Sequence, residues 1–224
     1  MKLTYLTLDL ELDLSDEIIT TLIVEERSVF RKLVKDFFQA SGGEESEWVL
    51  SVANKILDIK KDVYFISDFF KLDINNKTLL SKLHQRLSGI ATEEVELLYE
   101  INQKIQQLLL SLESSLSIDV FHNELIAVQD IVKLGNFLIR DDEFDDIGKV
   151  ANFIDVVIEL LNPKLMVLLN PRSYMDDGEI TLFFETMLCK KIPVLCIERV
   201  CKDDISVVRN KEIIYTLDKD LCVF

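Results

Sequence analysis

The chain has 224 residues, a formal net charge of −15 and an apolar content of 49%. About half of the side chains can enter a core, which excludes a disordered chain, and no apolar run approaches the roughly 18 residues that a membrane helix needs. The strong negative charge disfavours a protein whose whole surface binds nucleic acid. The N-terminus alternates apolar and acidic residues, unlike a signal peptide, and we expect a cytoplasmic protein with no membrane partner.

The first 70 residues carry strand and helix signals in alternation. The alternating leucines from Leu6 to Leu14 predict a strand with one buried face, and the apolar run from Ile18 to Val24 predicts a strand buried on both faces. Apolar residues at helical spacing from Val29 to Phe38 predict a helix that ends before Ser41. Two further strands are predicted at Trp48 to Val52 and Val63 to Ile66.

The middle of the chain, from about Phe69 to Leu134, is helical in character. A helix of roughly six turns is predicted by an apolar stripe formed by Leu97, Ile101, Ile105, Leu108, Leu112 and Leu116. Thr92 is its predicted N-cap. A shorter helix from Lys77 to Leu87 precedes it, and a helix from Glu124 to Leu134 follows a loop.

Strand and helix signals alternate again after Gly135. Helices are predicted at Phe144 to Leu161 and Glu179 to Leu188, and strands at Lys164 to Leu169, Pro193 to Ile197 and Ile213 to Leu217. This alternation is typical of an α/β fold with a mostly parallel sheet and helices on its faces. We therefore predict an α/β head of residues 1–68 and 136–224, interrupted by an all-helical leg of residues 69–135.

The segment TTLIVEERSVFRKLVKDF has the strand–turn–helix order at which many α/β proteins bind a phosphate. Such a turn needs glycines, because backbone N–H groups must approach the ligand closely. The turn from Glu25 to Ser28 has no glycine and two carboxylates. Gly148-Lys149 is followed by Val150 where a phosphate loop needs Ser or Thr, and it falls inside a predicted helix. We predict no nucleotide site and no catalytic residues.

Enzymatic alternatives rest on weak patterns. Asp58-x-Lys60 resembles a nuclease element, for which Asp62 and Asp68 are the nearby candidate metal carboxylates. A residual NTPase or a metal-dependent nuclease on the same head thus stays open as an alternative. The four cysteines have no metal or redox spacing, and Cys196 in the apolar run PVLCIE is predicted to be buried and reduced.

Charge is distributed unevenly along the chain. Residues 51–112 hold eight acidic and eight basic side chains, whereas residues 113–150 hold nine acidic and three basic ones. Oxygen-bearing side chains that flank the loop of the leg suit a hard cation such as Ca²⁺, with a solvated acidic loop as the alternative. The candidate metal ligands are Asp119, Glu124, Gln129 and Asp130.

The basic residues suggest a surface that contacts phosphates. Arg27, Arg31 and Lys35 are four residues apart and therefore share one face of the predicted first helix. Along the leg, the candidate DNA contacts are Lys77, Arg86, Lys104 and Lys133. Ordinary solvated surface charge is the alternative for each of these residues.

Taken together, the chain resembles the type II-A CRISPR-associated spacer-acquisition proteins, a family of small ring proteins that bind DNA ends. The resemblance rests on LIVEERSVFRKLVKDF, VYFISDFFKLDINNKTLLSKL, ELIAVQDIVKLG, LMVLLNPRSYM and PVLCIE, whose order and spacing hold over nearly the whole chain. The helical insertion also lies where the family has its leg.

The resemblance implies properties that the residue patterns do not show. It implies a head similar to a phosphate-loop NTPase without a working nucleotide site, and a helical leg that binds calcium. It further implies a homotetrameric ring that holds double-stranded DNA ends in a positively lined hole, without enzymatic activity. The implied partners are the CRISPR integrase complex and the effector nuclease of the same system.

Overall fold

The structure is a computed structural model, and it describes residues 1–141, 146–199 and 207–224. Two compact units emerge from the contacts between residues. The α/β unit comprises Met1–Leu72 and Asp141–Phe224, and the helical unit comprises Asp73–Arg140. The sequence predicts the corresponding boundaries after residues 68 and 135.

The α/β unit contains all of the described strands, in two sheets. In chain order they are β1 (Lys2–Tyr5), β2 (Leu10–Asp13), β3 (Ile19–Val24), β4 (Trp48–Val52), β5 (Lys55–Leu57), β6 (Val63–Ile66), β7 (Leu165–Leu169), β8 (Val194–Glu198) and β9 (Glu212–Leu217). The helices of this unit are α1 (Arg27–Gly42), α2 (Ile59–Asp62), α6 (Asp146–Leu161) and α7 (Asp177–Cys189). The helical unit contains α3 (Lys77–Ala91), α4 (Val95–Ser114) and α5 (Val128–Leu134).

The larger sheet is fully parallel and has the strand order β6-β7-β8-β3-β9. All six residues of β3 are buried, which confirms the prediction of a strand covered on both faces. The long βα connections between parallel strands explain why strand and helix signals alternate in the sequence. The predicted helix start at Phe144 lies outside the described residues.

The smaller sheet is antiparallel, with the order β2-β1-β4-β5. The prediction of one strand from Leu6 to Leu14 is wrong. β1 and β2 form a hairpin, and the chain between them makes a short 3₁₀ turn that ends at Asp9 in a left-handed conformation (φ 49°). Leucine alternation continues through this turn, so the pattern alone does not show where the strand reverses direction.

Helix α1 anchors the core of the α/β unit. Leu33 and Phe37 are fully buried on one of its faces. The Phe37 ring lies 5.6 Å from that of Trp48 and 5.2 Å from that of Phe65, and the indole of Trp48 donates to the Leu33 carbonyl at 3.0 Å. Burying an aromatic side chain of this size contributes about 1.5–3 kcal/mol. The helix runs to Gly42, beyond its predicted end, and Gly43 terminates it at φ 91°.

Two of the predicted helix starts in the helical unit are wrong. Thr92 is the C-cap of α3, where its hydroxyl donates to the Gly89 carbonyl, and α4 begins after Glu94. Helix α5 begins at Val128 and not at Glu124. The chain before α5 is held as a loop, because the Asn102 side chain accepts a hydrogen bond from the Ile126 amide at 2.9 Å.

Helix α4 is only partly packed within one chain, where Ile101, Ile105 and Leu109 are half-buried. None of its twenty residues is buried. Leu97, Leu108 and Leu112 of the predicted stripe are 54%, 59% and 55% exposed. Most apolar side chains of the loop between α4 and α5 are also exposed. No helix among the described residues is long and apolar enough to cross a membrane.

Candidate nucleic-acid interface

The turn between β3 and α1 is closed by the protein's own carboxylate. Glu26 is the N-cap of α1, and its Oε1 accepts a hydrogen bond from the Ser28 amide at 3.0 Å. This hydrogen bond lowers the pKa of Glu26. Free N–H groups at a helix start are what a phosphate-binding turn offers its ligand. Here a phosphate would have to displace a negatively charged group.

Positively charged side chains lie on the exposed face of the same helix. Arg27, Arg31 and Lys35 are all exposed, whereas Leu33 and Phe37 are buried, as the predicted division of the faces requires. The three basic residues form no ion pair with any described residue. Successive members are about one helical turn, or roughly 5–6 Å, apart along the axis. They form a compact basic surface in a protein of net charge −15.

The four predicted DNA contacts in the helical unit occupy two kinds of environment. Lys77 and Lys133 line a groove of about 890 Å³ that runs along α3 and part of α5. Arg86 and Lys104 are exposed residues of α3 and α4 that do not line it. Lys133 is also 3.0 Å from the Asp130 carboxylate, so one predicted DNA contact is paired with one predicted calcium ligand.

The predicted calcium ligands are not assembled into one site within the chain. Asp119 and Glu124 are exposed loop residues between α4 and α5, Gln129 lines the groove, and Asp130 is paired with Lys133. Among the described residues, no group of three or more His, Cys, Asp or Glu side chains could hold a metal ion. The four predicted ligands therefore do not form one calcium site within the described part of the chain, and calcium binding stays a prediction.

The carboxylates of the nuclease alternative take part in local structure. Asp58 is the N-cap of α2, where it accepts from the Lys60 amide at 3.1 Å, and it also pairs with Lys61. Asp62 accepts from the Asp58 amide. Asp68 accepts from a backbone amide and pairs with a lysine three residues on, an interaction that lowers its pKa. These contacts account for the Asp-x-Lys pattern without a metal.

A buried charged cluster in the α/β unit has no counterpart in the predictions. The Arg172 guanidinium donates to both carboxylate oxygens of Glu212 at 2.8 Å, and the Arg172 amide donates to Glu198 at 3.0 Å. The side chains of Glu198 and Glu212 are fully buried. Thr21 completes the cluster by donating to Glu212 at 2.5 Å.

Burial shifts the pKa values of two groups in and next to this cluster. Burial raises the pKa of Glu198 to about 7, opposed by its hydrogen bond and attraction to Arg172. Burial likewise raises the pKa of the Cys196 thiol, which is fully buried and free, as predicted. The signal in the sequence is a charged residue at the edge of an apolar strand, as in PVLCIE and KEIIYTL.

Comparison with known proteins identifies the class to which the chain belongs. The family model described as "CRISPR-associated protein (Cas_Csn2)" matches residues 39–221. The CRISPR-associated protein Csn2 of Streptococcus agalactiae is 23% identical over 210 residues, which span 88% of this chain and 89% of that protein. Both matches assign the chain to the CRISPR-associated proteins.

Within that class, the chain belongs to the Csn2 family, which confirms the type II-A resemblance. Among solved structures, the ATP-binding cassette MJ0796, described as a dimer in a post-hydrolysis state bound to ADP and Pi, is similar to it. That alignment covers 93% of this chain and 84% of the other, at 13% identity and a TM-score of 0.41.

Proposed function

We propose that this protein is a non-enzymatic ring that binds double-stranded DNA ends without sequence preference during the acquisition of new CRISPR spacers. The observation that carries the proposal is the start of α1. Glu26 accepts the hydrogen bond of the Ser28 amide, a group that a nucleotide phosphate would need, and Arg27, Arg31 and Lys35 face solvent directly after it. The implied partners are the integrase complex and the effector nuclease of the same CRISPR system.

The head is, on this proposal, a phosphate-loop-NTPase-like domain that has lost its nucleotide site. The support is topological. When the parallel strands are numbered in chain order, β3 is the first, it lies inside the sheet, and it leads through a tight turn into α1. That is the strand–turn–helix position of a phosphate loop.

The apolar surface of the helical unit supports the ring. Helix α4 has no fully buried residue within its own chain, and Leu97, Leu108 and Leu112, which share one face, are 54%, 59% and 55% exposed. Contiguous exposed apolar surface of this kind is typical of an interface between subunits. Four copies would concentrate the basic residues of α1 around a common hole while the acidic residues face elsewhere, which reconciles DNA binding with a negative net charge.

DNA binding is tested with linear and covalently closed duplexes of identical sequence, followed by fluorescence anisotropy over a range of salt concentrations. We expect tight, sequence-independent binding to the linear form only, with log Kd changing by about 0.9 per phosphate contact for each tenfold change in salt. Arg31→Glu should weaken binding, whereas Lys55→Glu, an equal charge change at an exposed residue of β5, should weaken it much less.

The alternative enzymes are tested on the same preparation. ATP hydrolysis, or cleavage of DNA that depends on added Mg²⁺ or Mn²⁺ and is lost in Asp58→Ala, would overturn the non-enzymatic assignment. Equal affinity for linear and closed circular DNA would overturn the end-binding ring.

A further inference from the structure

The groove along α3 has an unusual composition for this protein. Eleven of the described residues line it, of which nine come from α3 and its flanks and two from α5. The chain as a whole has 40 acidic residues among 224, yet none of these eleven is acidic. It is lined by two lysines, Lys77 and Lys133, and otherwise mainly by hydroxyl and amide side chains.

The groove follows one complete face of α3. Its lining residues recur at helical spacing from Lys77 through Ser81, His84 and Ser88 to Thr92. A helix of this length, 15 residues, spans about 22 Å, which corresponds to the axial rise of about six base-pair steps of duplex DNA. The groove is therefore long enough for an extended ligand and not only for a single ion.

The groove also contains a polar group that the described chain leaves without a partner. The Nε2 of His84 is buried and has no hydrogen-bond partner among the described residues. Ser88, which is 7% exposed, also lines the groove. Gly89 lies next to it, and a Cβ built there would have no heavy atom within 4 Å. The groove thus has open space beside Gly89 and a histidine nitrogen that no described residue contacts by a hydrogen bond.

We propose that this groove holds the sugar–phosphate backbone of one DNA strand, so that the helical unit has a DNA site of its own in addition to the basic face of α1. The inference rests on the proposed DNA-binding function. Lysines and hydroxyl groups are the usual partners of phosphate oxygens. A peptide would instead need apolar anchors, and among the lining residues that the structure describes Leu80 is the only large aliphatic side chain.

The first test fills the groove without changing its charge. Gly89→Leu places an isobutyl group in the open space, and it should not unfold α3 because leucine favours helices more than glycine does. Thr78→Leu is the matched control, since Thr78 is exposed on the same helix and does not line the groove. We expect Gly89→Leu to weaken binding of linear duplex about tenfold and Thr78→Leu to change it less than twofold.

The second test distinguishes a direct contact in the groove from the long-range electrostatic effect of any charge on α3. Lys77→Glu and Lys82→Glu make the same charge change on α3, but only Lys77 lines the groove. We expect a loss several times larger for Lys77→Glu, with the salt dependence of log Kd reduced by about 0.9. An acidic probe peptide, deca-glutamate, is titrated in parallel.

The outcomes distinguish the inference from the function on which it rests. If the unmodified protein fails to bind linear DNA, the proposed function is wrong and the inference falls with it. If the unmodified protein binds DNA but Gly89→Leu has no effect and the two lysine variants are equal, the groove assignment alone is wrong. Binding of deca-glutamate that Gly89→Leu abolishes, with DNA binding unchanged, would assign the groove to a protein partner and also overturn the inference.

Discussion

The α/β unit and the helical unit use their apolar residues in opposite ways. In the α/β unit, strand β3 is buried along its whole length, and Leu33 and Phe37 of α1 are fully buried beside Trp48. In the helical unit, all of whose residues the structure describes, the buried apolar residues are Ile74, Leu79 and Val132. One unit therefore has its core within a single chain, whereas the other leaves most of its apolar surface exposed, and on the proposed function further copies would cover it.

This difference predicts where stability and assembly reside. Burial of apolar surface is the dominant favourable contribution to folding, so the α/β unit should determine the free energy of unfolding. The helical unit should instead determine the oligomeric state, and through it the number of basic surfaces brought together. Variants in the two units should separate these properties.

The largest effect on unfolding is expected for Phe37→Ala. The side chain is fully buried and lies 5.2–5.6 Å from two other aromatic rings, so its removal should leave a cavity and cost about 3–5 kcal/mol. Phe121→Ala in the helical unit is the control, because Phe121 is 94% exposed and its loss should change stability by less than about 0.5 kcal/mol. Urea denaturation measures both, and comparable losses would contradict the proposed division of roles.

The next largest effect is a pH dependence of the free energy of unfolding, which arises from Glu198 in the α/β unit. The pKa of Glu198 is raised in the folded state from 4.5 to about 7, so the protonated carboxyl is favoured by folding. Stability from this group is complete below pH 4.5 and is lost as the pH rises through about 7, with a total change of about 3 kcal/mol.

Glu198→Gln should remove that dependence while keeping an oxygen for the Arg172 amide. We expect the variant and the unmodified protein to be similar at pH 5 and the variant to be more stable by up to about 3 kcal/mol at pH 8.5. Glu45→Gln, which neutralises an exposed carboxylate, should show no such divergence. A difference between Glu198→Gln and the unmodified protein that stays constant across this range would refute the assignment.

A smaller change in free energy per chain, here in the free energy of subunit association, is expected for Leu108→Glu on α4. Leu108 is 59% exposed, and a leucine buried at a subunit interface contributes about 1.5–3 kcal/mol. We expect light scattering to show dissociation at micromolar concentration, with the urea midpoint of the α/β unit unchanged. Gln107→Glu adds the same charge at the neighbouring exposed position and should leave the assembly intact. A monomeric unmodified protein would refute the ring itself.

How far the sequence alone predicts this molecule differs between the two units. The buried strands of the α/β unit are recognisable because a run such as Ile19–Val24 has one interpretation once it is flanked by turns and followed by a helix. The hairpin of β1 and β2 is not, since the leucine alternation passes through the turn at Asp9. In the helical unit, the start of α5 depends on the contact between Asn102 and Ile126, which are 24 residues apart.

The candidate site shows the same limit. The basic face of α1 is predictable, because Arg27, Arg31 and Lys35 lie on one continuous helix with a known period. The groove is not, because it combines Lys77 of α3 with Lys133 of α5 and depends on how two helices pack. The Arg172–Glu198–Glu212 cluster comes from three separate segments, and only the sheet order brings them together.

The smallest effect is expected for a substitution of Asp130 and concerns DNA affinity. Asp130 is a predicted calcium ligand, and it is paired with Lys133, a predicted DNA contact. Its carboxylate is 3.0 Å from the Lys133 ammonium on the exposed surface of α5, and such a pair contributes at most about 1 kcal/mol. Asp130→Asn should release Lys133 for phosphate and tighten DNA binding about two- to fivefold. Glu124→Gln removes an equal charge from another predicted calcium ligand that forms no ion pair with a described residue, and it should have a smaller effect.

The effect of added Ca²⁺ on DNA affinity tests the same Asp130–Lys133 pair in a second way. A cation that binds Asp130 competes with Lys133 for the carboxylate, so Ca²⁺ should tighten DNA binding by the unmodified protein by a similar factor. In Asp130→Asn the lysine is already released, and added Ca²⁺ should then bring no further gain through this residue. The measurement is the Kd for linear duplex with Ca²⁺ and with EDTA at constant ionic strength. An equal calcium effect in both proteins would remove Asp130 from the list of ligands and leave the Asp130–Lys133 pair as an ordinary surface contact.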